Sequence, residues 1–193
     1  MKNSLHNYLL ELSKSGIGLD FSSFTCRYGK FTIYCLIGPE ENILQLTFAP
    51  AKQERLLKRL KSLSSSVHIR KLPQKEFKLN TMFAGYFSGR LTRFPVTIDS
   101  PLIAAGTEFQ KNIWRHIAAI PYGMSITYQR LAELAGSPGG ARAAGMACGA
   151  NPISLIIPCH RVVAVNGLGG FAGGVAMKKA LLDLERTGRS PVE

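Results

Sequence analysis

The sequence has no long uninterrupted run of apolar residues and is short of acidic side chains. A membrane-spanning helix needs about 20 consecutive apolar residues, and no run in this sequence approaches that length. The 24 Lys and Arg outnumber the 12 Asp and Glu, which gives a formal net charge of +12. We therefore expect no membrane partner. The charge favours a polyanionic partner, because neutralising phosphates releases counterions.

Cysteine is also scarce, with four residues in a chain of 193. This number is too small for the disulfide framework of a secreted domain of this length. The N-terminus does not read as a signal peptide, because Glu11 interrupts the stretch that would form its apolar core. We expect a cytoplasmic protein, nuclear if the source is a eukaryote, with reduced thiols. A special cysteine would then act as a reagent.

The first 103 residues are predicted to form an α+β module. Hydrophobic residues make up 46% of the chain, which is enough for a packed core and too many for a disordered protein. Periodicity and turn signals predict, in chain order, a helix at 5–12, three strands within 24–49, a helix at 56–63, a strand at 67–72, a helix at 77–87 and an extended piece near 94–98.

Charges become sparser and helix signals sharper after residue 103. We place a domain boundary there, with an accessory domain at 1–103 and a mostly helical domain at 104–193. Thr107 and Gln110 have the spacing of a capping box, which opens the first helix of the second domain.

Two further helices, at 127–135 and 138–149, are separated by a short turn at Gly136. Thr127 is the predicted N-cap of the first helix, and Ser137 that of the second. Two short helices joined by a tight glycine turn make a candidate helix-turn-helix.

The predicted helix at 138–149 is built mainly of alanine and glycine around one long polar side chain, Arg142. Each internal glycine lowers helix stability by about 1 kcal/mol relative to alanine. The structure or the function must therefore require small side chains here. Close packing against another helix and close approach to a ligand as large as DNA both remain open. The helix lacks the Asn, Gln or multiple Arg side chains that read base edges in the major groove, so a DNA contact should be independent of sequence.

A thiol followed by two basic residues occurs at Cys159, His160 and Arg161, after the apolar run 153–157, which we expect to be a strand. The thiolate is the nucleophile, and a free cysteine with a pKa near 8.5 is only about 3% ionised at pH 7. His160 and Arg161 are the local groups that would lower this pKa. Neighbours in an extended chain face opposite sides, so His160 reaches the thiol only through a bend or a bridging water. An inert thiol and a structural imidazole are the alternatives.

A glycine-rich loop and a final helix follow this segment. Glycine occupies five of the nine positions at 166–174, which either brings backbone N–H groups close to a small substrate or turns the chain. The final helix is predicted at 175–187. Near its end, Glu185 either pairs with a surface lysine or orients an imidazole.

Motifs spread over residues 82–187 resemble those of the O6-alkylguanine-DNA alkyltransferase family. The matching positions are Gly106-Thr107, Phe109-Gln110, Trp114, Ile120 to Gly123, Tyr128, Leu131-Ala132, Ala141 to Ala143, Asn151-Pro152, Ile156 to Val162 and Phe171 to Gly174. The resemblance implies an α+β fold: a ribonuclease-H-like module at 1–103, followed by a mostly helical, winged-helix-like active-site domain with a helix-turn-helix at 104–193.

The resemblance also implies a reaction that each molecule performs once. The protein would flip an O6-alkylated guanine out of duplex DNA and transfer the alkyl group irreversibly to its own Cys159. O4-alkylthymine is a further candidate substrate. No cofactor and no metal are expected, and Cys26, Cys35 and His68 lack a recognised spacing for metal ligands.

Catalytic roles follow by position from the resemblance. Cys159 would be the nucleophile, with His160 as a base acting through a water and Glu185 holding His160. Tyr128 would donate its hydroxyl to a ring nitrogen of the guanine. Asn151 would fix the turn between the recognition helix and the active-site strand.

DNA contact is implied through the minor groove of double-stranded DNA by a monomeric protein, whereas most helix-turn-helix proteins use the major groove. Arg142 would enter the base stack in place of the flipped nucleotide. The other implied DNA-binding residues are Tyr128, Gln129, Ala143 and Gly145. The implied substrate pocket consists of Val162, Ser154, Phe171, Ala172 and Gly173. Ser154 stands where some relatives carry proline, and Phe171 where tyrosine is frequent.

Three other functions fit parts of the pattern. A non-catalytic protein of the same fold would bind alkylated bases without transferring the alkyl group, but relatives of that kind lack the acceptor cysteine. A helix-turn-helix regulator would prefer particular DNA sequences, which the helix around Arg142 is poorly equipped to read. A thiol hydrolase, a weaker candidate, would turn over repeatedly.

Overall fold

The first half of the chain folds into a four-stranded sheet with helices on both faces. The computed structural model describes residues 2–96 and 100–188. Its elements in the first half are α1 (Lys2–Lys14), β1 (Asp20–Tyr28), β2 (Phe31–Ile37), β3 (Ile43–Thr47), α2 (Pro50–Leu63), β4 (His68–Leu72) and α3 (Asn80–Phe87). The strand order is β3-β2-β1-β4, with β1 antiparallel to β2 and parallel to β4.

The second half is mainly helical. Its elements are α4 (Pro101–Ala104), α5 (Glu108–Ala118), β5 (Ile126–Thr127), α6 (Tyr128–Leu134), α7 (Ala141–Ala150), β6 (Val162–Val163) and α8 (Val175–Thr187). The short strands β5 and β6 pair in parallel. Helices α5, α6 and α7 pack against one another and enclose a second apolar cluster. The fold is therefore mixed α+β, as predicted.

Alternation along the strands gives the sheet two apolar faces. Phe21 and Leu36 point to the face that packs against α1 and α2. Cys26 and Cys35 belong to the opposite face, which packs against α3 and α8. Cys26 lies opposite Ile33 in the register of β1 and β2. All four cysteines are free thiols, as expected.

The helix caps predicted from the sequence are present at two positions. The Gln110 N–H donates to Thr107 Oγ1 at 3.2 Å, and the Thr107 N–H donates to Gln110 Oε1 at 3.0 Å. Thr127 Oγ1 accepts from the Arg130 N–H at 3.0 Å and caps α6. These bonds satisfy donors that the first helical turn leaves unpaired.

Two helices begin later than predicted. Helix α3 starts at Asn80, because residues 74–76 form a separate 3-10 turn. Helix α7 starts at Ala141 with Gly140 at its N-cap, so the prediction of Ser137 as the cap is wrong. Gly139, at φ +78°, turns the chain in the left-handed region just before this start.

The prediction of a strand at 153–157 is also wrong. Leu155 has φ +78°, and the Ile157 N–H donates to the Ile153 carbonyl at 3.0 Å, so the chain turns there. Ile153 alone forms a bridge with Leu46 of β3. The extended piece predicted near 94–98 has no strand at 94–96, and its remainder lies outside the described residues.

No helix within the described ranges has both the length and the apolar character needed to span a bilayer.

Candidate active site

A tight turn carries the candidate nucleophile and its neighbours. Cys159–Arg161 form one turn of 3-10 helix, and the Arg161 N–H donates to the Pro158 carbonyl at 2.9 Å. This is the bend that an interaction between Cys159 and His160 requires. It leaves Cys159 in the apolar cluster of α5, α6 and α7, whereas His160 is bonded to Glu185 of α8.

Glu185 is the centre of a buried hydrogen-bond network. Its Oε1 lies 2.7 Å from His160 Nε2, and its two oxygens accept from Arg161 Nε and Nη2 at 2.9 Å. The Tyr86 hydroxyl donates to Oε1 at 2.5 Å, and the Gly123 N–H donates to Oε2 at 3.1 Å. Burial alone would raise the pKa of Glu185, but hydrogen bonds from His160 and Arg161 lower it to about 2. The carboxylate is therefore ionised at neutral pH.

His160 is fully buried and neutral. Burial lowers its pKa from the ordinary histidine value, and Arg161 and Lys178 add to this effect, while Glu185 opposes it. The hydrogen-bond network assigns the single ring proton to Nε2, which donates to the carboxylate. The other nitrogen, Nδ1, is buried and has no hydrogen-bond partner within the described residues. It is thus available to accept a proton.

The thiol of Cys159 is nearly inaccessible, with 7% of the residue exposed. Burial raises its pKa, while a hydrogen bond with Asn151 and the charges of Lys52 and Lys178 act in the opposite direction. The groups that lower this pKa are thus Asn151, Lys52 and Lys178. Activation of the thiol by His160 through a water stays a prediction. With its pKa raised, the sulfur is protonated at neutral pH in this conformation.

Asn151 fixes the turn that follows α7. Its Nδ2 donates to the Ile157 carbonyl at 2.8 Å, and its Oδ1 accepts from the Ile153 N–H at 3.0 Å. The side chain is 1% exposed and so replaces backbone bonds that the turn cannot make itself. Asn151 therefore joins α7 to a turn and not to the predicted strand, and its catalytic role stays a prediction.

Tyr128 and the glycine-rich loop meet at Lys178 of α8. Lys178 Nζ donates to the carbonyls of Val162 and Gly170 at 2.5 and 3.2 Å and lies 5.5 Å from the centre of the Tyr128 ring. The Tyr128 hydroxyl donates to the Gly170 carbonyl at 3.2 Å. Burial, reinforced by the nearby thiols, raises the pKa of Tyr128 to about 12. The phenol is therefore protonated and a hydrogen-bond donor at neutral pH.

The residues expected to form the substrate pocket differ in their surroundings. Val162 is fully buried and shares an apolar cluster with Cys159, against which Phe171 packs. The Phe171 ring centre lies 6.4 Å from that of His160.

Three pocket candidates have other surroundings. Ser154 is buried and bridges to Ile157 in the turn. Ala172 is exposed. Gly173 faces Phe48, since a Cβ at Gly173 would lie 2.6 Å from Phe48 Cβ.

Helix α7 has a buried face of small residues and an exposed face that carries Arg142. Ala144 and Ala147 are buried, and Trp114 Nε1 donates to the Ala147 carbonyl at 2.9 Å, so the inner face packs closely on α5. Arg142 and Gly149 are exposed. Of the other residues expected to bind DNA, Gln129 is exposed, whereas Tyr128, Ala143 and Gly145 are half-buried.

Four residues of the site were not predicted as site residues from the sequence. Arg161 stood inside the motif but was considered only as a neighbour of the thiol. Tyr86 and Lys52 come from distant parts of the chain and carry no local signal. A lysine on the inward side of a predicted helix, as at Lys178, is the one cue that the sequence offered.

Comparison with known proteins places this geometry in a family. The model of the 6-O-methylguanine DNA methyltransferase DNA-binding domain matches residues 108–187. A methylated-DNA--protein-cysteine methyltransferase of Mycobacterium bovis is 46% identical over 109 residues, 56% of this chain and 63% of that protein. The Salmonella typhimurium protein of the same name is 48% identical over 106 residues, 54% of this chain and 60% of that protein. These alignments thus span less than two thirds of the relatives' own length.

Similarity in structure extends further along the chain. The crystal structure of Mycobacterium tuberculosis OGT in complex with DNA matches with a TM-score of 0.65 and 31% identity, over 89% of this chain and 96% of that one. A sheet-containing half and a helical half, with a buried histidine-glutamate pair that follows a buried cysteine, define a mixed α+β protein of the methylguanine methyltransferase type. The chain belongs to the O6-methylguanine-DNA methyltransferase family.

Proposed function

We propose that this protein repairs O6-alkylated guanine in DNA by transferring the alkyl group irreversibly to its own Cys159. The observation that carries the proposal is the neutral His160, which has an unpaired Nδ1 on one side and the Glu185 carboxylate on the other. A base held in this way next to a cysteine is the arrangement that nucleophilic transfer requires. Relatives of this chain bear the name methylated-DNA--protein-cysteine methyltransferase.

The transfer forms one bond and breaks one. The Cys159 sulfur attacks the alkyl carbon in line, the new S–C bond forms, and the bond between that carbon and guanine O6 breaks. The thiol proton passes through a water to His160 Nδ1, Tyr128 donates its proton to a ring nitrogen of the departing guanine, and the proton on His160 returns through water to the Tyr128 oxygen. Guanine leaves with the proton it needs, and the thioether ends the reaction after one turnover.

Because burial raises the pKa of Cys159, the thiol is protonated before substrate binds. Burial keeps the sulfur protonated until a substrate is seated, so the thiol is protected from other electrophiles. Proton removal by His160 then accompanies transfer. Asn151, which lowers the pKa of Cys159, helps to stabilise the thiolate as it forms.

We infer that α7 binds double-stranded DNA in the minor groove without sequence preference, the protein acting as a monomer. Its exposed side carries Arg142, the residue that would fill the gap left by the flipped base. Gln129, Ala143 and Gly145 would line the contact. Val162, Ser154, Phe171, Ala172 and Gly173 would surround the flipped guanine. A relative of known structure was crystallised with DNA.

The proposal assigns different roles to two domains of the chain. Residues 1–103 would form a ribonuclease-H-like accessory domain, and residues 104–193 a winged-helix-like domain that binds DNA and accepts the alkyl group. A cytoplasmic location, or a nuclear one in a eukaryote, accords with a substrate in chromosomal DNA.

The deciding experiment uses a duplex oligonucleotide that carries O6-methylguanine with an isotopic label in the methyl group. We expect up to one equivalent of label per chain, all of it on Cys159, and no further turnover. The Cys159→Ser variant should take up none. The matched control is Cys148→Ser, which changes a second buried thiol and should retain transfer. Label on another residue, or lesion binding without transfer, would refute the proposal and favour a non-catalytic damage-binding protein.

A further inference from the structure

Lys52 of α2 joins the first half of the chain to the end of α7. Its Nζ donates to the Asn151 carbonyl at 2.6 Å and to the Gly149 carbonyl at 3.1 Å. Gly149 lies in the last turn of α7, and Asn151 is its C-cap. Carbonyls at a helix C-terminus have no partner within the helix, and the helix dipole makes this end negative. The Lys52 ammonium group donates hydrogen bonds to these carbonyls and places a positive charge at the negative end of the helix.

The same contact reaches the thiol through one residue. Lys52 holds the backbone of Asn151, and the Asn151 side chain lowers the pKa of Cys159. The ammonium also acts directly on the sulfur, since its charge favours the ionised thiol. Lys52 is partly buried, which lowers its pKa. The same burial leaves its charge only partly screened by solvent.

The other titratable groups around Cys159 come from four further segments. They are Tyr128 of α6, Cys148 of α7, Lys178 of α8, and His160 in the turn, with Arg161 and Glu185 behind it. Among them, Lys178 is bonded to the Val162 and Gly170 carbonyls on the side of the glycine-rich loop. Lys52 is instead bonded to the end of α7 and to the turn that follows it.

We propose that Lys52 is a positioning residue for the transfer reaction, one that fixes the end of α7 and the Asn151 turn and adds positive charge as Cys159 loses its proton. The inference rests on the proposed alkyl transfer. Because Lys52 belongs to α2, in the first half of the chain, the first half would take a direct part in the chemistry.

The test compares Lys52→Met, Lys52→Gln and Lys52→Arg in the full-length protein. Lys58→Met is the matched control, because Lys58 is an exposed lysine of the same helix. The first readout is the single-turnover rate of methyl transfer from a labelled duplex between pH 6 and 10. The second is the pH at which iodoacetamide alkylates Cys159 at half its maximal rate, followed by peptide mass spectrometry without DNA.

We expect Lys52→Met to lower the transfer rate at pH 7 about 10-fold and to shift half-maximal alkylation upward by about one pH unit. Lys52→Gln should behave similarly, whereas Lys52→Arg, which keeps the charge and the donors, should stay within about 3-fold of the original protein. Lys58→Met should change neither readout.

Several results would overturn the assignment. Equal losses of transfer rate in Lys52→Met and Lys52→Arg, with an unchanged alkylation profile, would make Lys52 a purely structural residue. The same conclusion would follow if Lys52→Met and Lys52→Gln lost cooperative melting while Lys52→Arg kept it. Unchanged rates in Lys52→Met would also reject it. If the original protein transfers no methyl group, the proposed function fails by itself, while the alkylation profile still decides whether Lys52 acts on Cys159.

Discussion

His160 Nε2 and Glu185 Oε1 lie 2.7 Å apart in the interior of the protein, and both side chains are almost completely removed from solvent. The same carboxylate neutralises the Arg161 guanidinium. One residue of α8 thus sets the tautomer of the base and balances a buried cation. This double role makes Glu185 the residue whose loss should be felt in both stability and activity.

Replacing Glu185 with glutamine should destabilise the fold and slow transfer. The amide leaves the Arg161 charge buried without compensation, and breaking a buried pair in this way costs about 3–5 kcal/mol. It also no longer holds the His160 proton on Nε2, so the base is impaired. Urea unfolding and single-turnover assays measure the two effects. Asp183→Asn on the exposed side of α8 is the control and should cost less than about 1 kcal/mol; similar losses in both variants would contradict the role of the network.

Acid should destabilise the protein in two stages. His160 has a lowered pKa in the fold, so as the pH falls through about 6.5 the unfolded chain takes up a proton that the folded chain does not. Glu185, with its pKa lowered to about 2, contributes stability that is present above its ordinary value and is lost as the pH falls toward 2. The free energy of unfolding should therefore be nearly constant from pH 7 to 8, decline below about 6.5 and fall more steeply below about 4.3.

The first stage can be assigned with two histidine variants in urea unfolding series. His160→Gln should remove most of the decline between pH 6.5 and 5. His68→Gln, at an exposed position of β4, should leave that decline in place. The same curve for all three proteins would show that His160 is not the source.

Arg142 should matter for duplex DNA and not for the free modified base. Flipping a nucleotide costs a few kcal/mol, and 1.4 kcal/mol corresponds to a factor of ten, so Arg142→Ala should slow repair of a duplex lesion by about 10-fold or more. Reaction with free O6-methylguanine should change little. Arg186→Ala, an exposed arginine at the end of α8, is the control for lost charge. Equal losses on both substrates would exclude a role for Arg142 in flipping.

Gly169 should tolerate alanine less well than Gly136. Both glycines are in the left-handed region, at φ +70° and +74°, where an L-residue costs about 1–2 kcal/mol. A Cβ at Gly169 would also lie 2.7 Å from Tyr128 Cε2, whereas Gly136 faces open space. Thermal melting should show a penalty in both variants, but only Gly169→Ala should slow methyl transfer, because the Tyr128 ring must move. Normal transfer by Gly169→Ala would show that the position of this ring is not critical.

Local signals in the sequence predicted much of the fold correctly. The capping box at Thr107 and the final helix at 175–187 follow from residues a few positions apart. The start of α7 was missed because Ser137 and Pro138 resemble a helix start, while the backbone freedom of Gly139 decides the geometry. The segment 153–157 was missed because its apolar residues are buried for tertiary reasons and not by strand pairing.

The site was predictable only where the motif was continuous. Cys159, His160 and their neighbours stand together in the sequence, and the resemblance supplied Glu185 as a partner. Tyr86 meets Glu185 from 99 positions away, and Lys52 reaches Asn151 across the same separation. Contacts of this kind arise from the packing of α2, α3 and α8 around the sheet, for which one sequence carries no local pattern.

The bridge between Leu46 and Ile153 also bears on solubility. Strand β3 is an edge of the sheet, and its Leu46 N–H and carbonyl bond to Pro152 and Ser154. An open strand edge invites pairing with other chains. A truncated protein that ends before residue 152 would present these backbone groups to the solvent, so we expect it to aggregate where the intact chain stays dispersed.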